Sequence, residues 1–272
     1  MIFFSSKEKT EDILDHAMSF MEKRQPKNAI ALFKKILKKD PKNVIVLHNL
    51  GMALNQLKKY QDAITCFEKV TNIDPKHISA INNRGIALAE LGNTDDAFKY
   101  YDKAIEIDPK YAAAHYNKGV LYDKLLKHEE AIQSLDLALK CDSGNVNTVF
   151  YKGIVLGKMK KHEESLNCFE NISQKHPKHM DAFFHKGIEL AELGKHDKAL
   201  KIFDNLLQMH KDNVNIIYAM ARSHAATSNV DRALYLLEQA VKKDRKTIKK
   251  WAIEDEFFDS LQDEPKFRKL MK

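Results

Sequence analysis

The chain has 272 residues, close to the ~250–300 at which a single compact core stops growing, so it forms one large domain, two ordinary ones or an elongated stack. Only 9 Gly and 6 Pro occur, too few for a loop-rich β protein; 31% of the residues are charged, and no apolar run reaches the roughly 18 residues of a membrane span. A net charge of +7 admits an acidic partner or nucleic acid, according to where the charge lies.

The start, Met1-Ile2-Phe3-Phe4-Ser5-Ser6, has neither a basic lead nor a long apolar stretch, so it does not read as a secretory signal. The three cysteines, Cys66, Cys141 and Cys168, are widely spread and form no Cys-x-x-Cys pair, which reads as reduced thiols. Both features place the protein in the cytoplasm as an expectation.

From Thr10 onward the chain repeats itself. Gly51, Gly85, Gly119, Gly153 and Gly187 lie 34 residues apart, and Ala17 and Ala221 extend the series at either end. Twelve residues after each comes a second small residue: Ala29, Ala63, Ala97, Ala131, Ser165, Ala199 and Ala233. Four further on stand Phe33, Phe67, Tyr101, Leu135, Phe169, Phe203 and Leu237. Pro41, Pro75, Pro109 and Pro177 form another series, whose remaining slots hold Ser143, Lys211 and Arg245.

The spacing predicts seven units, 10–43, 44–77, 78–111, 112–145, 146–179, 180–213 and 214–247, each with two helices. In the second unit Leu47, Leu50, Gly51 and Leu54 share a face of the first helix, and Ala63, Ile64, Phe67, Val70 and Thr71 a face of the second. Gly92 and Gly194 suit a left-handed helix end between them. Asp40-Pro41, Asp74-Pro75 and Asp108-Pro109 stop the second helix, because proline disfavours helical geometry in the residue before it. A small residue on each helix allows close approach, and the ring one turn later is expected to fill space against the next unit. No pair buries its apolar face alone, so neighbours must stack.

The pattern of a small residue at position 8, Ala at 20, an aromatic at 24 and Pro at 32 resembles the tetratricopeptide repeat, over residues 10–247. The resemblance implies an all-α solenoid, a right-handed superhelix of antiparallel helix pairs that binds other proteins. Ser143 departs from it in the fourth unit, and the seventh lacks both its glycine and its proline. Beyond the repeats, Trp251 and Phe258 briefly continue the register, Asp255 takes the small-residue slot, and Asp263-Glu264-Pro265 breaks the chain. Residues 248–272 therefore read as a capping helix with a short final turn, or alternatively as a docking tail. Phe3 and Phe4, within the 1–9 extension, are expected to cover the other end.

The resemblance also implies a concave groove built from positions 2, 5, 6, 9, 12 and 13 of each unit. Position 6 supplies Asn49, Asn83, Asn117 and then Tyr151. Side-chain amides both donate and accept, so such a ladder can hold an extended peptide backbone, or merely satisfy neighbouring helices. Position 9 supplies an apolar strip of Met52, Ile86, Val120, Ile154 and Ile188, and position 5 adds Tyr116, Phe150, Phe184 and Tyr218. This patch suits a protein or peptide partner with spaced apolar residues, extended or as an amphipathic helix, unless adjacent helices cover it. Co-chaperone members of the family clamp an acidic tail with lysine and arginine at these positions. Here Leu14 and Met18 stand at those positions of one unit and Ser79 and Asn83 at those of a following one, so the cations are absent and no such clamp is expected.

Acids at the groove positions (Glu11, Glu22, Glu90, Asp123, Asp181, Glu192) outnumber bases (Lys124, Lys158, Arg222). No basic track for nucleic acid is present there; that reading survives only for the opposite face, around Lys34, Lys35, Lys38 and Lys39. Arg84, Lys118, Lys152 and Lys186 share position 7, as a solvated edge or a docking rim. His128, His162 and His196 recur one unit apart at the intra-unit turn, too far from one another to share a zinc ion. His176 and His179 flank Pro177 without a metal-binding motif. With no phosphate loop, dinucleotide fingerprint or nucleophile elbow, no enzyme, cofactor or metal is expected. Self-association through the array ends, as a homo-oligomer, stays open beside partner binding.

Overall fold

A computed structural model of the protein describes residues 9–272; the expected cover by Phe3 and Phe4 lies outside them. Every regular element among the described residues is helical. The chain divides into two compact units, one ending at Gly144 and the other beginning at Asn145.

The first unit holds four antiparallel helix pairs: α1 (Thr10–Glu22) with α2 (Pro26–Leu37), α3 (Val44–Gln56) with α4 (Tyr60–Ile73), α5 (Ile78–Glu90) with α6 (Thr94–Ile107), and α7 (Ala112–Lys124) with α8 (His128–Cys141). The second holds three pairs: α9 (Val146–Lys158) with α10 (His162–Lys175), α11 (Met180–Glu192) with α12 (His196–Met209), and α13 (Val214–Ala226) with α14 (Val230–Lys243). It closes with α15 (Arg245–Glu254), a 3-10 turn at Glu256–Leu261 and α16 (Pro265–Met271). Each unit is thus a short solenoid of stacked helix pairs.

Local chemistry sets the ends of these helices. Asn43, Asn145 and Asn213 accept the backbone N–H of Val46, Thr148 and Ile216 at 3.0–3.3 Å, the usual work of an N-cap. His77 and His179 do the same through Nδ1, from Ala80 and Ala182 at 3.2 Å, which accounts for two histidines without any metal. Asp74 and Asp108, each before a proline, are extended (φ −124° and −139°), so the second helix stops there.

Between the helices of a pair, the residue at position 15 takes a left-handed conformation in all seven cases. Gly92 and Gly194 do so freely (φ 83° and 71°), but Arg24, Lys58, Leu126, Lys160 and Ser228 do so with side chains at φ 55–60°. The turn is imposed by the packing of the pair, and glycine only eases it. Leu126 is the extreme case, 78% exposed at φ 60°. Leu126→Gly is therefore expected to raise stability by about 1 kcal/mol, measured by urea unfolding; a loss would mean that the leucine packs usefully.

The repeated glycine is required by a ring. A Cβ on Gly51, Gly85, Gly153 or Gly187 would lie 2.5–2.8 Å from the ring of Phe67, Tyr101, Phe169 or Phe203, and one on Gly119 would lie 2.8 Å from Leu135 Cγ. In each case the large side chain belongs to the second helix of the same pair. The sequence reading aimed this ring at the next unit; its closest support is instead the glycine of its own pair. Consecutive pairs are then tied by charge: Arg84, Lys118 and Lys186 reach Glu68, Asp102 and Glu170 on the second helix of the preceding pair. These three position 7 cations are therefore engaged at the seam between pairs.

Within each unit the first helices approach one another, α3 to α5, α5 to α7 and α11 to α13, more closely than the second helices do. The first helices consequently form the inner face, and their outward-turned side chains decide what that face can hold.

Candidate functional site

In the first unit Asn49, Asn83 and Asn117 are half-buried on the inner face. Their amide nitrogens are engaged by the protein itself. Asn49 Nδ2 donates to the carbonyl of Ile45 one turn earlier (2.9 Å), Asn83 Nδ2 to His48 Nε2 (3.1 Å), and Asn117 Nδ2 to Oδ1 of the buried Asn82 (2.9 Å). The last two contacts cross from one first helix to the next, so these amides lace neighbouring pairs together. His48 lies against Phe67 and His77, and burial, with the nearby His77 charge, lowers its pKa to about 4. It is neutral at pH 7, as an acceptor for Asn83 must be. Met52, Ile86, Val120 and Tyr116 are half-buried on the same face, and burial pushes the Tyr116 phenol up.

In the second unit Phe150 stacks on the capping His179 (5.4 Å) and meets Phe169 edge-on (5.4 Å). Phe184 lies 6.0 Å from Phe203. Both rings, with Tyr151, Ile154 and Ile188, stay half-buried. Three cavities lie over this face. One of about 270 Å³ shares Phe184 and Asn215 with a second of about 410 Å³, which shares Ile188 with a third of about 520 Å³. Between them they are lined at positions 2 (Asp181, Asn215), 5 (Phe184, Tyr218), 6 (His185, Ala219), 9 (Ile154, Ile188, Arg222), 12 (Gly157) and 13 (Lys158, Glu192).

At α13 the face changes character. Arg222, at the position that is apolar in the preceding pairs, is held between Glu192 Oε1 (2.9 Å) and Asp255 Oδ2 (2.7 Å), with Phe257 over its guanidinium at 4.3 Å. Tyr218 donates its hydroxyl to Asp255 (2.8 Å) and packs beside Trp251 and Phe258. It is only 8% exposed, and burial pushes its phenol well above the ordinary range. Of the position 5 aromatics, Tyr218 is thus the one covered by the C-terminal segment, while Phe150 and Phe184 remain accessible along one edge. Asp255 can reach Tyr218 and Arg222 because α15 ends at Glu254 and the chain turns inward as the 3-10 helix, which packs on α13.

Sequence reasoning did not find this Glu192–Arg222–Asp255 cluster. Its signal was present: a cation interrupts the apolar strip and an acid occupies the small-residue slot, two irregularities that answer each other. The recurring histidines are similarly accounted for. His128 lies 3.1 Å from the buried Asp123, His162 Nδ1 lies 2.8 Å from the buried Glu189, and His196 meets Phe257 edge-on. Burial raises the Glu189 carboxyl, against the pull of His162 and Ser165. Among the described residues no group of three His, Cys, Asp or Glu side chains is placed to hold a metal ion, and no helix is long and apolar enough to cross a membrane.

Comparison with known proteins agrees with this geometry. Models described as the tetratricopeptide repeat match residues 20–83, 78–111, 100–133, 152–214 and 190–252. A tetratricopeptide repeat protein of Parabacteroides merdae is similar in structure, with TM-score 0.61 and 21% identity over 89% of this chain and 96% of that one. YrrB, described as a tetratricopeptide protein with an unusual peptide-binding site, gives TM-score 0.59 and 23% identity over 69% of this chain and 97% of its own. A chain of the Cut9–Hcn1 hetero-tetramer of the APC/C gives TM-score 0.69 and 14% identity over 97% of this chain and 51% of its own. No curated protein matches the sequence. These identities speak to the fold alone; the ring-on-glycine pairs, their 34-residue period and the family models over most of the repeats together mean that the chain belongs to the tetratricopeptide repeat family.

Proposed function

We propose that this protein is an interaction scaffold whose inner face holds a segment of a partner protein, extended or as an amphipathic helix, by spaced apolar side chains. What supports the reading is the continuity of the three cavities in residues 145–272, which lie over the repeat positions expected to form a groove. Ile154, Phe184 and Ile188 supply the apolar contacts there, and Phe150 and Tyr151 on α9 extend the strip. Met52, Ile86, Val120 and Tyr116 offer an equivalent strip in residues 9–144. Asn49, Asn83 and Asn117, whose nitrogens are engaged, act through their amide oxygens on a partner's backbone N–H groups. The description of YrrB as a tetratricopeptide protein with an unusual peptide-binding site is consistent with such a role. Three free thiols suit a reducing compartment such as the cytoplasm.

The test is crosslinking of partners to the full chain and to Ile154→Asp/Ile188→Asp. Charge placed in an apolar contact strip is expected to lower partner recovery at least about tenfold, with helix content by circular dichroism unchanged. Recovery equal to wild type from a folded variant would remove the reading.

A further inference from the structure

The C-terminal segment does more than close the stack. Ile248, Phe258, Leu261 and Phe267 are at most 4% exposed and suffice to cover the last repeat. Trp251 has no such role: it stands 41% exposed, edge-on to Tyr218 at 5.5 Å, as one wall of the cavity of about 410 Å³. Phe184 and Ile188 also line it, so side chains from the repeats and from α15 together border one open, mainly apolar recess of the size that takes a bulky organic group.

The mouth of that recess is acidic. Arg222 is held by two carboxylates, so the Glu192–Arg222–Asp255 cluster carries one negative charge. At the recess itself Glu254 and Asp255 face Arg222, and Glu254 is exposed; the adjoining cavity adds Glu192 and the exposed Glu256 against the exposed Lys158 and Lys160, while Glu189 is buried against His162. Lys250, one turn before Glu254 on α15, does not line the recess.

We propose that the C-terminal segment is part of the binding site, and that it selects a partner segment with a bulky apolar side chain flanked by lysine or arginine. The apolar group enters between Phe184, Ile188 and Trp251, and the flanking cations lie against Glu254 and Glu256. This rests on the groove reading above and narrows it to one partner chemistry. Exposed ion pairs of this kind add specificity that salt weakens.

Trp251 is the only tryptophan in the chain, so its fluorescence reports directly on the recess. Three synthetic peptides are titrated into the full protein: Lys-Lys-Leu-Phe-Lys-Lys, the same with glutamate for every lysine, and the same with alanine for Leu-Phe. The first is expected to shift Trp251 emission with a saturating curve that weakens with added salt. The second binds at least about tenfold more weakly, and the third leaves the emission unchanged. Glu254→Lys/Glu256→Lys, on exposed positions that leave the core intact, is expected to reverse the order of the first two. Equal affinity for the first two peptides, or an order unchanged by that variant, overturns the proposal; if Ile154→Asp/Ile188→Asp still abolishes binding, the groove reading survives. Emission that no peptide shifts overturns the proposal while partner crosslinking tests the groove separately. Emission that shifts with protein concentration alone, with dimers in sedimentation, also overturns it, because a second copy then fills the recess.

Discussion

Phe203→Ala is expected to lower the unfolding free energy of the second unit by about 3–5 kcal/mol, the range for emptying a buried phenylalanine site. Phe203 is 0% exposed, and its ring lies on the backbone of Gly187 with no room for even one carbon between them: a Cβ on Gly187 would fall 2.5 Å from Cε1. The site cannot collapse easily, since α11 and α12 are held on both sides by neighbouring pairs. Gly187→Ala tests the same contact from the other side. Alanine favours a helix over glycine by about 1 kcal/mol, yet the displaced ring costs about 1–3 kcal/mol, so a net loss is expected. In the Phe203→Ala background the clash is gone, and Gly187→Ala should become neutral or stabilising. Chemical denaturation of the four proteins completes the cycle. Equal effects of Gly187→Ala in both backgrounds would show that the ring is not what demands the glycine.

Asp255→Ala is expected to cost about 3 kcal/mol, at the lower end for a broken buried ion pair because Arg222 keeps Glu192. The side chains of Arg222 and Asp255 are 17% and 11% exposed, so water cannot readily replace the lost carboxylate. The Tyr218 hydroxyl loses its acceptor in the same step. The effect should be local: amide exchange in α15 and the 3-10 turn quickens, while α9 to α12 keep their protection. Arg222→Leu/Asp255→Leu, which removes both charges, should be far milder. If Asp255→Ala matched wild type within about 0.5 kcal/mol, the width of an ordinary surface change, the cluster would not be what holds the tail. Loss of the tail would also open Tyr218 and dismantle one wall of the recess beside Trp251.

The fold was legible in the sequence because its constraints are short-range and repeat. Glycine at position 8 and a ring sixteen residues later must touch within one helix pair, so each occurrence carries its own explanation. The inner-face positions were legible for the same reason, since the register that buries Leu50 and Gly51 leaves Asn49 and Met52 half-buried. The left-handed turn was read only where glycine marked it; at Leu126 and Lys160 the closing helices impose it on side chains that give no hint.

Asn49 is satisfied within its own helix, but the engagement of other inner-face side chains depended on neighbours far along the chain. Asn83 donates to His48 and Asn117 to Asn82, each from position 6 to position 5 of the preceding pair, but position 5 carries a histidine in one pair and an asparagine in the next, so which side chain answers is particular to each pair. Tyr218 looked like one more member of an open aromatic row, but the chain leaves the repeat register at Asp255 and folds back over it. Periodicity fixes helix faces because a helix presents every seventh side chain alike. Where an aperiodic tail comes to rest is set by a few particular charges and rings, Arg222, Asp255, Phe257 and Trp251, and only their meeting in three dimensions decided it.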